Sequence, residues 1–416
     1  MISRRSFLQF LGLGVAYLSV GFSIAKAQYN KSVIFLSDFG GIVKKPVKGI
    51  TDNLEEARET IKKGGLVHPR GTGHSVMGRS MKEDALIYTP EETDIRLVND
   101  VVYASAATTL LDIDNYLELF GYMLPTSPDH RAVSLGGVLS VGGYGCEVCR
   151  YGALVDHVMV MDFMTKDGQI LRNLPGNHPI VKKALCGLGE HGTILSAGVK
   201  CFPKPVTSYL DRQPMPDGVD FYMEKAREFV STPPSDDKPD VWYAYWARRR
   251  NEFVKGQAIY KENYNTVKKG KREERSDYRA FRKRRSDRWV FREQYEYYIW
   301  SDHFFTIDNF QEPLKQSLDI MKEGEEDGGS VVIYSSIVKG NKEDKHFPHY
   351  TDADYLLSVG IFANFLGKDR KAAEKSARAQ MLFSKEAQEK YNGNAYKYGW
   401  EWRENFKYLD VNGAES

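Results

Sequence analysis

Residues 69–78 read PRGTGHSVMG, and three glycines in ten residues restrict this segment to a tight turn or to a loop that approaches a ligand closely. Consecutive exposed N–H groups in such a turn form a concave anion site. The segment follows the apolar residues 66–67, so we expect it to leave the end of a strand. It suits a pyrophosphate, although it is neither a P-loop nor GxGxxG. Taken alone, it is equally consistent with a tight turn that carries a solvated histidine.

Two further segments are rich in glycine. Residues 134–145 read SLGGVLSVGGYG, a density of glycine that argues against an ordinary helix or strand interior. Residues 187–195 read GLGEHGTIL and end in an apolar run that predicts a strand. Three such segments within one domain's length favour convergence on one large, flat ligand over three independent loops.

In order and spacing, the three segments resemble the FAD-binding domain of PCMH-type flavoproteins, the vanillyl-alcohol oxidase superfamily, over residues 47–203. Within it, the chain is most similar to cytokinin dehydrogenases. Their first loop reads like GRGHSxNGQ, where this chain has GTGHSVMGR. Their middle segment, TVGGTLSNAG…FRYG, corresponds to SLGGVLSVGG…CRYG, and their closing LGGLGQFGII to LCGLGEHGTI.

The resemblance implies an α+β fold, in which a two-subdomain PCMH-type FAD-binding domain carries an α+β substrate-binding cap domain. We expect a signal peptide over 1–27, the FAD-binding domain over 28–204, the cap over 205–385 and a C-terminal return segment over 386–416. Family members end near a DPxxILSPG-like segment, whereas this sequence stops after NFKYLDVNGAES. We therefore expect either a short protein or a truncated reading frame, with Tyr396 or Tyr398 as the late tyrosine near the flavin.

The same resemblance implies a covalent bond between the His74 ring and the 8α-methyl carbon of FAD. It implies that the first loop and its serine hydroxyl cradle the pyrophosphate, that two serines of the middle segment offer hydroxyls, and that backbone at Tyr144 and Ile194 contacts the flavin or its ribityl chain. Arg79 stands where the plant enzymes have glutamine. The FAD-contacting residues implied are Gly71, Thr72, Gly73, His74, Ser75, Arg79, Asp129, Ser134, Ser140, Tyr144 and Ile194.

Asp129 is the catalytic residue that the resemblance implies. Cytokinin dehydrogenases carry an aspartate six residues before VGG, and Asp129 lies six residues before Leu135, which begins LGG. A carboxylate there would accept a substrate N–H or O–H proton while hydride leaves for flavin N5. Its neighbours differ from the plant pattern, and His130 or Arg131 could pair with it and lower its pKa. A turn residue after Pro128 is the alternative.

These features predict a FAD-dependent oxidoreductase that oxidises a C–H next to nitrogen or oxygen, with N6-isoprenoid adenines as the leading substrates. A sugar, alditol or lactone oxidase of the same superfamily and a non-catalytic flavin-binding protein are the alternatives. The sequence leaves the electron acceptor open among oxygen, a quinone and a carrier.

The N-terminus, MISRRSFLQFLGLGVAYLSVGFSIAKAQ, predicts a twin-arginine signal with cleavage after AKA, and a membrane anchor is the competing interpretation. We expect a periplasmic or secreted protein that uses the twin-arginine export machinery, which carries proteins already folded around their cofactor. The full chain has 58 basic and 56 acidic residues; removing Arg4, Arg5 and Lys26 leaves 55 and 56, a net charge of −1. This balance gives no general attraction to nucleic acid.

Two smaller features carry alternatives. Cys146 and Cys149 form a CxxC, for which buried or paired thiols are favoured over a redox pair; no second cysteine pair or histidine cluster lies at zinc-ligand spacing, so we predict no metal. The charged run 268–285 is interpreted as a solvated face, with an anionic membrane or polyanion as the alternative partner.

Periodicity predicts the secondary structure. Helices are expected over 52–63, 108–120, 179–185 and 220–230. Strands are expected over 84–88, 96–103, 193–202, 241–247, 255–260, 330–338 and 355–365, with a hairpin of 158–165 and 169–173 through Asp167-Gly168.

Overall fold

The computed structural model describes residues 34–145, 147–204, 207–215, 218–232, 238–247, 252–261, 273–276 and 295–396. The described residues from Phe35 onward belong to one compact unit. The predicted signal segment, 1–27, lies outside the described residues. Within the described residues, no helix is both long enough and apolar enough to cross a bilayer.

The described strands, in chain order, are β1 (Ile34–Ser37), β2 (Lys44–Val47), β3 (Gly49–Thr51), β4 (Val67–Pro69), β5 (Leu86–Tyr88), β6 (Ile95–Val98), β7 (Val101–Ser105), β8 (Tyr122–Met123), β9 (Val158–Thr165), β10 (Ile170–Pro175), β11 (Gly192–Lys200), β12 (Phe202–Pro203), β13 (Thr207–Met215), β14 (Val241–Ala247), β15 (Glu252–Lys261), β16 (Glu273–Ser276), β17 (Tyr297–Phe305), β18 (Ser330–Lys339), β19 (Tyr355–Phe365) and β20 (Asn394–Ala395). The α-helices are α1 (Leu54–Lys62), α2 (Leu110–Glu118), α3 (Leu135–Leu139), α4 (Val148–Tyr151), α5 (Pro179–Ala184), α6 (Gly218–Ser231), α7 (Gln311–Glu326) and α8 (Arg370–Lys390).

The described chain contains three larger sheets and two two-stranded sheets, β1-β2 and β12-β8. A small parallel sheet has the order β3-β5-β4, and an antiparallel sheet has the order β10-β9-β11-β7-β6. The third, which we call the cap sheet, is antiparallel in the order β16-β13-β15-β14-β18-β19-β17-β20. Helices α7 and α8 pack against it through β17, β18 and β19. The first glycine-rich segment follows β4 of the parallel sheet, the middle segment contains α3, and the third runs into β11 of the five-stranded sheet.

Local sequence signals, such as caps and turn residues, predicted most of the helices and strands correctly. Helix α1 begins after Asn53, whose side chain accepts hydrogen bonds from the N–H groups of Glu55 and Glu56, as the capping pattern predicts. Helix α2 ends before Gly121, which has a φ of +73°. The hairpin of β9 and β10 is confirmed, as are α5, α6, β14, β15, β18 and β19, with bounds that differ by a few residues.

Two predictions about these segments are wrong. The run 96–103 is two antiparallel strands, β6 and β7, because Asn99 adopts a φ of +55° and reverses the chain. Segment 134–145 contains the short helix α3 despite its glycines. A Cβ on Gly136 would lie 2.7 Å from the Cβ of Ala106, so glycine lets this helix pack directly on the neighbouring chain.

The hydrophobic interior forms two main clusters. One lies around α2, α3 and β11 and includes Leu110, Leu139 and Phe163. The other lies between the cap sheet and its helices and takes in Val76 and Met77, which belong to the first glycine loop. The hydrophobic cluster of the cap sheet therefore fixes the position of this loop.

Candidate functional site

The first glycine loop leaves the end of β4, as predicted. Gly73 and Gly78 have φ values of +79° and +64°, a conformation that glycine adopts without strain. Buried Asp38 holds the loop, because its carboxylate accepts N–H hydrogen bonds from Gly78 at 3.3 Å and Val43 at 3.2 Å. Burial raises the pKa of Asp38 to about 6, against the lowering effect of these bonds.

The first loop contacts the middle segment. A Cβ on Gly71 would lie 2.1 Å from the Oγ of Ser134, so only glycine allows this approach. Ser134 is also the N-cap of α3, where its side chain accepts the N–H of Gly137. The Ser140 hydroxyl donates to the carbonyl oxygen of Gly136 at 2.8 Å. Both predicted hydroxyls therefore have structural partners at the rim of the site.

His74 lies between two polar groups. Its Nδ1 is 2.9 Å from the Oγ1 of Thr72, and its Nε2 is 2.8 Å from the Nε2 of His130. Burial, with a further contribution from Arg70, lowers the pKa of His74 to about 4, and burial with His74 lowers that of His130 to about 2. Two neutral imidazoles that share one N–H between their Nε2 atoms fit this contact.

Asp129 lies beside this histidine pair in the chain. Of the neighbours considered as its partners, His130 contacts His74, and Arg131 pairs with Asp114 at 3.3 Å. The side chain of Asp114 is 9% exposed, so this second pair is largely buried and fixes the chain just after Asp129.

All eleven predicted site residues line one cavity of about 320 Å³. The three glycine-rich segments contribute one wall. The cap sheet contributes the other, with side chains that alternate along β17, β18 and β19. That wall is aromatic and includes Trp300, Tyr334 and Phe362; the Trp300 indole N–H donates to the Oδ1 of Asn364 at 2.8 Å.

The cavity wall suits a flavin dinucleotide. The loop with positive φ values, together with the cavity-lining Arg70 and Arg79, offers donors and positive charge for a diphosphate. Apolar groups such as Val138 and Ile194 line the same space and suit a flat ring system. The close approach of Gly71 to Ser134 leaves no room for a Cβ, so this glycine lets two walls of the cavity pack against each other.

Several cavity residues escaped the sequence interpretation. Arg70 lies inside the first glycine motif and lines the cavity, so that motif contained the signal for it. The cap residues Trp300, Tyr334 and Asn364 gave no local signal, because only sheet pairing brings them together.

Tyr396, one of the two candidates for the late tyrosine, lines the cavity, and its hydroxyl accepts the N–H of Gly143 at 3.2 Å. Tyr398, the other candidate, lies outside the described residues.

Cys149 is buried, and its thiol donates to the carbonyl oxygen of Asp240 at 3.0 Å. Burial raises the pKa of this thiol, which opposes formation of a reactive thiolate. Cys146 lies outside the described residues. So does the charged run 268–285, apart from the backbone of β16 at the edge of the cap sheet.

Residues 51–173 match a sequence family described as FAD binding domain. The chain is 32% identical over 139 residues to cytokinin dehydrogenase 2 of Arabidopsis thaliana, covering 32% of this chain and 27% of the relative. It is 25% identical over 151 residues to cytokinin dehydrogenase 10 of Oryza sativa subsp. japonica, covering 33% and 28%. It is 23% identical over 196 residues to D-lactate dehydrogenase of Archaeoglobus fulgidus, covering 43% and 44%.

These matches confirm the predicted resemblance to PCMH-type flavoproteins and, with the mixed helices and sheets, the predicted α+β fold class. The aligned region holds the first two glycine segments and Asp129. The chain spans about a quarter to a third of the length of the cytokinin dehydrogenases it matches.

Proposed function

We propose that this chain is a FAD-dependent oxidoreductase that removes hydride from a C–H next to nitrogen or oxygen. The observation that carries the proposal is the convergence of three separate glycine-rich segments and a facing aromatic sheet on one cavity. The named relatives, cytokinin dehydrogenases and a D-lactate dehydrogenase, are consistent with this class of reaction. When bound, FAD would supply the hydride acceptor.

The chain's own groups would do the remaining work. The first glycine loop, with Arg70 and Arg79, would bind the diphosphate. His74, kept neutral by its lowered pKa, retains a ring nitrogen lone pair with which to bond the 8α carbon of FAD. Asp129 would take the substrate's N–H or O–H proton, and a substrate that fills the cavity would exclude water from it.

The aromatic cap wall supports a planar substrate. Because the Oδ1 of Asn364 accepts from Trp300, its amide N–H groups are directed to other acceptors, such as ring nitrogens. N6-isoprenoid adenines are therefore the leading substrate class. A small 2-hydroxy acid is a second candidate, because the D-lactate dehydrogenase match spans more of this chain than the first two cytokinin dehydrogenase matches do.

The cofactor test is an absorbance spectrum of purified protein before and after acid precipitation. We expect yellow protein whose colour stays with the pellet, and a His74→Ala variant whose flavin moves to the supernatant. His191→Ala, which changes an exposed histidine outside the cavity wall, is the matched control and should behave like the wild type. Folded protein that is colourless and cannot be reconstituted with FAD would refute the proposal.

The reaction is tested by anaerobic bleaching of the flavin with isopentenyladenine, D-lactate, alditols and lactones. Asp129→Asn should keep the flavin while slowing bleaching by about 10²–10⁴-fold, the usual contribution of a general base. Flavin that no compound bleaches would favour a flavin-binding protein without turnover.

Export is a separate part of the proposal. The Arg4-Arg5 pair and the following apolar segment support delivery to the periplasm by the twin-arginine machinery. Replacing both arginines with lysine should retain the protein in the cytoplasm with its flavin bound. Unchanged periplasmic delivery of that variant would contradict this route.

A further inference from the structure

A carboxylate lies within the aromatic wall that the cap sheet contributes to the cavity. Asp302, on β17, lines the cavity together with Trp300 and Phe304, which share its face of the strand because side chains alternate along a strand. Across the sheet, Asp302 is paired with Gly360 of β19, and Gly360 is paired in turn with Tyr334 of β18. The carboxylate therefore lies among aromatic side chains.

The sheet fixes where this carboxylate lies. A Cβ on Gly360 would be 2.1 Å from the Oδ1 of Asp302 and 2.6 Å from the ring of Phe362, so glycine leaves the space that both side chains occupy. On the other side, the carbonyl oxygen of Asp302 accepts the N–H of Tyr396 at 2.8 Å. Burial is the main cause of the raised pKa of Tyr396, and the charge of Asp302 nearby adds to it.

The charged groups of the cavity are divided between its walls. Among the described residues that the cap sheet contributes to the cavity, Asp302 is the only charged one. The cavity-lining arginines lie on the opposite wall, since Arg70 belongs to the first glycine loop and Arg79 follows it, and the proposed diphosphate would occupy both. A substrate held against the cap sheet therefore meets a carboxylate, and meets no cationic side chain among the described residues of that sheet.

We propose that Asp302 selects substrates that present an N–H donor on an apolar body and excludes substrates that present a carboxylate, and this inference rests on the proposed oxidoreductase function. A carboxylate accepts several hydrogen bonds at once, so a ligand can add one to those that the protein supplies. The surrounding aromatic rings favour a planar or cationic nitrogen group. A ligand carboxylate at the same place would bring two like charges together in a cavity from which the ligand excludes water.

The candidate substrate classes differ in this respect. Isopentenyladenine is neutral and presents N–H donors on a flat ring, whereas a 2-hydroxy acid brings a carboxylate that needs a cationic partner. Asp302 therefore favours the first class over the second. An alditol also donates hydrogen bonds, but several of its hydroxyls would lose water against aromatic rings without gaining an acceptor.

The test uses three planar probes of similar size: benzamidine is a cationic N–H donor, benzamide is a neutral one, and benzoate is an anion without an N–H. Isothermal titration calorimetry of the flavin-loaded protein measures their Kd values whether or not the flavin reacts. Asp302→Asn keeps the shape of the side chain and removes its charge, while Gly360→Ala keeps the charge and displaces it. Asp352→Asn, which changes an exposed carboxylate outside the cavity wall, is the matched control.

We expect the wild type to bind benzamidine and benzamide more tightly than benzoate. Asp302→Asn should lower the ratio of the benzoate Kd to the benzamidine Kd by about 10- to 100-fold, the usual effect of a hydrogen bond to a charged group. Gly360→Ala should weaken benzamidine binding while benzoate stays excluded, and Asp352→Asn should match the wild type. In anaerobic reduction by isopentenyladenine, Asp302→Asn should raise the half-saturating concentration by about 10-fold and leave the limiting rate nearly unchanged, because Asp302 binds the substrate and does not react with it.

Equal affinity of the wild type for benzoate and benzamidine would overturn this selection, and so would an unchanged Kd ratio in Asp302→Asn. The same change in Asp352→Asn would show an effect of net charge and not of the cap sheet. Reduction of the wild-type flavin by D-lactate, with half-saturation as low as that for isopentenyladenine, would overturn the selection and leave the oxidoreductase proposal intact. A wild-type flavin that no compound reduces removes the proposed function, whereas the Kd ratios would still show whether Asp302 selects N–H donors.

Discussion

The neutral histidine pair is the most unusual feature of the cavity at the scale of single residues. His74 and His130 place their Nε2 atoms 2.8 Å apart, which two imidazolium ions could not do without strong repulsion. Burial against cavity walls disfavours charge on both rings. The pair therefore keeps the His74 ring neutral under conditions that protonate an ordinary histidine.

We expect His74 to protonate near pH 4 in the folded, flavin-free protein, where an unperturbed histidine titrates near 6.5. Because its folded pKa is lowered, the folded state binds fewer protons than the unfolded state between these values, and stability falls as pH falls through this window. An NMR titration of ¹⁵N-labelled histidine, with His74→Asn to assign the signal, measures this. A midpoint near 6.5 would contradict the proposed burial of the ring.

Asp38 should have the opposite effect on stability. Its folded pKa of about 6 lies above the ordinary value of 3.8, so the folded state binds the extra proton and stability falls as pH rises between these values. Two pH units correspond to about 3 kcal/mol. The free energy of unfolding of Asp38→Asn, measured in urea at pH 4 to 7, should rise relative to wild type across this window. A constant difference would contradict it.

At the scale of elements, glycines set how closely the cavity segments approach one another. A Cβ on Gly145 would lie 2.0 Å from the carbonyl oxygen of Ser127. Gly145 and the residue after Ser127 both line the cavity, so relieving this contact would shift the cavity wall. Gly121, by contrast, has a positive φ with nothing within 4 Å of the added Cβ.

We therefore expect Gly145→Ala to cost about 1–3 kcal/mol of stability, or more if the wall cannot relax, and to weaken FAD binding. Gly121→Ala should cost about 1–2 kcal/mol from backbone strain alone and leave FAD binding unchanged. Thermal unfolding and flavin titration of both variants measure the difference. Equal flavin affinity in the two variants would show that the approach at Gly145 does not shape the site.

The sequence predicted those elements whose signals are local. The cap at Asn53, the stop at Gly121 and the turn at Gly168 each act within a few residues, and α1, α2 and the β9–β10 hairpin followed from them. Helix α3 could not be predicted in this way, because its glycines are explained by Ala106 on another segment. Helices α7 and α8 were not predicted at all, although both carry an apolar face that packs on the cap sheet.

The same distinction between local signals and distant contacts applies to the candidate site. The glycine loops and Asp129 were identified because their motifs resemble a known family in order and spacing. The hydrogen bond between the Tyr144 hydroxyl and His349 was not predicted, because the two residues lie 205 positions apart in the chain. Long-range side-chain networks are fixed by tertiary packing, which a single sequence does not display.

At the scale of the whole molecule, a polar contact joins the glycine-rich half to the cap sheet. Arg150, in α4, forms an ion pair with Asp240, which immediately precedes β14. Asp240 has no exposed surface, whereas the Arg150 side chain is 42% exposed. The Cys149 thiol, on the adjacent residue, donates to the backbone of the same aspartate. The pair therefore lies at the boundary between the interior and solvent.

Burial of one partner should make this pair matter more than an exposed one. Breaking it removes a charged partner from a buried carboxylate, so we expect Arg150→Gln to cost about 1–3 kcal/mol of unfolding free energy. Arg172→Gln is the matched control, because Arg172 and Asp162 pair at 2.8 Å within one sheet and Arg172 is 56% exposed; its cost should stay below about 1 kcal/mol. A double-mutant cycle of Arg150→Gln with Asp240→Asn isolates the coupling energy between the two side chains. If that coupling is no larger than in the corresponding Arg172 and Asp162 cycle, the contact adds nothing to the joining of the two halves, and apolar packing around Val76 and Met77 must hold the cap over the cavity by itself.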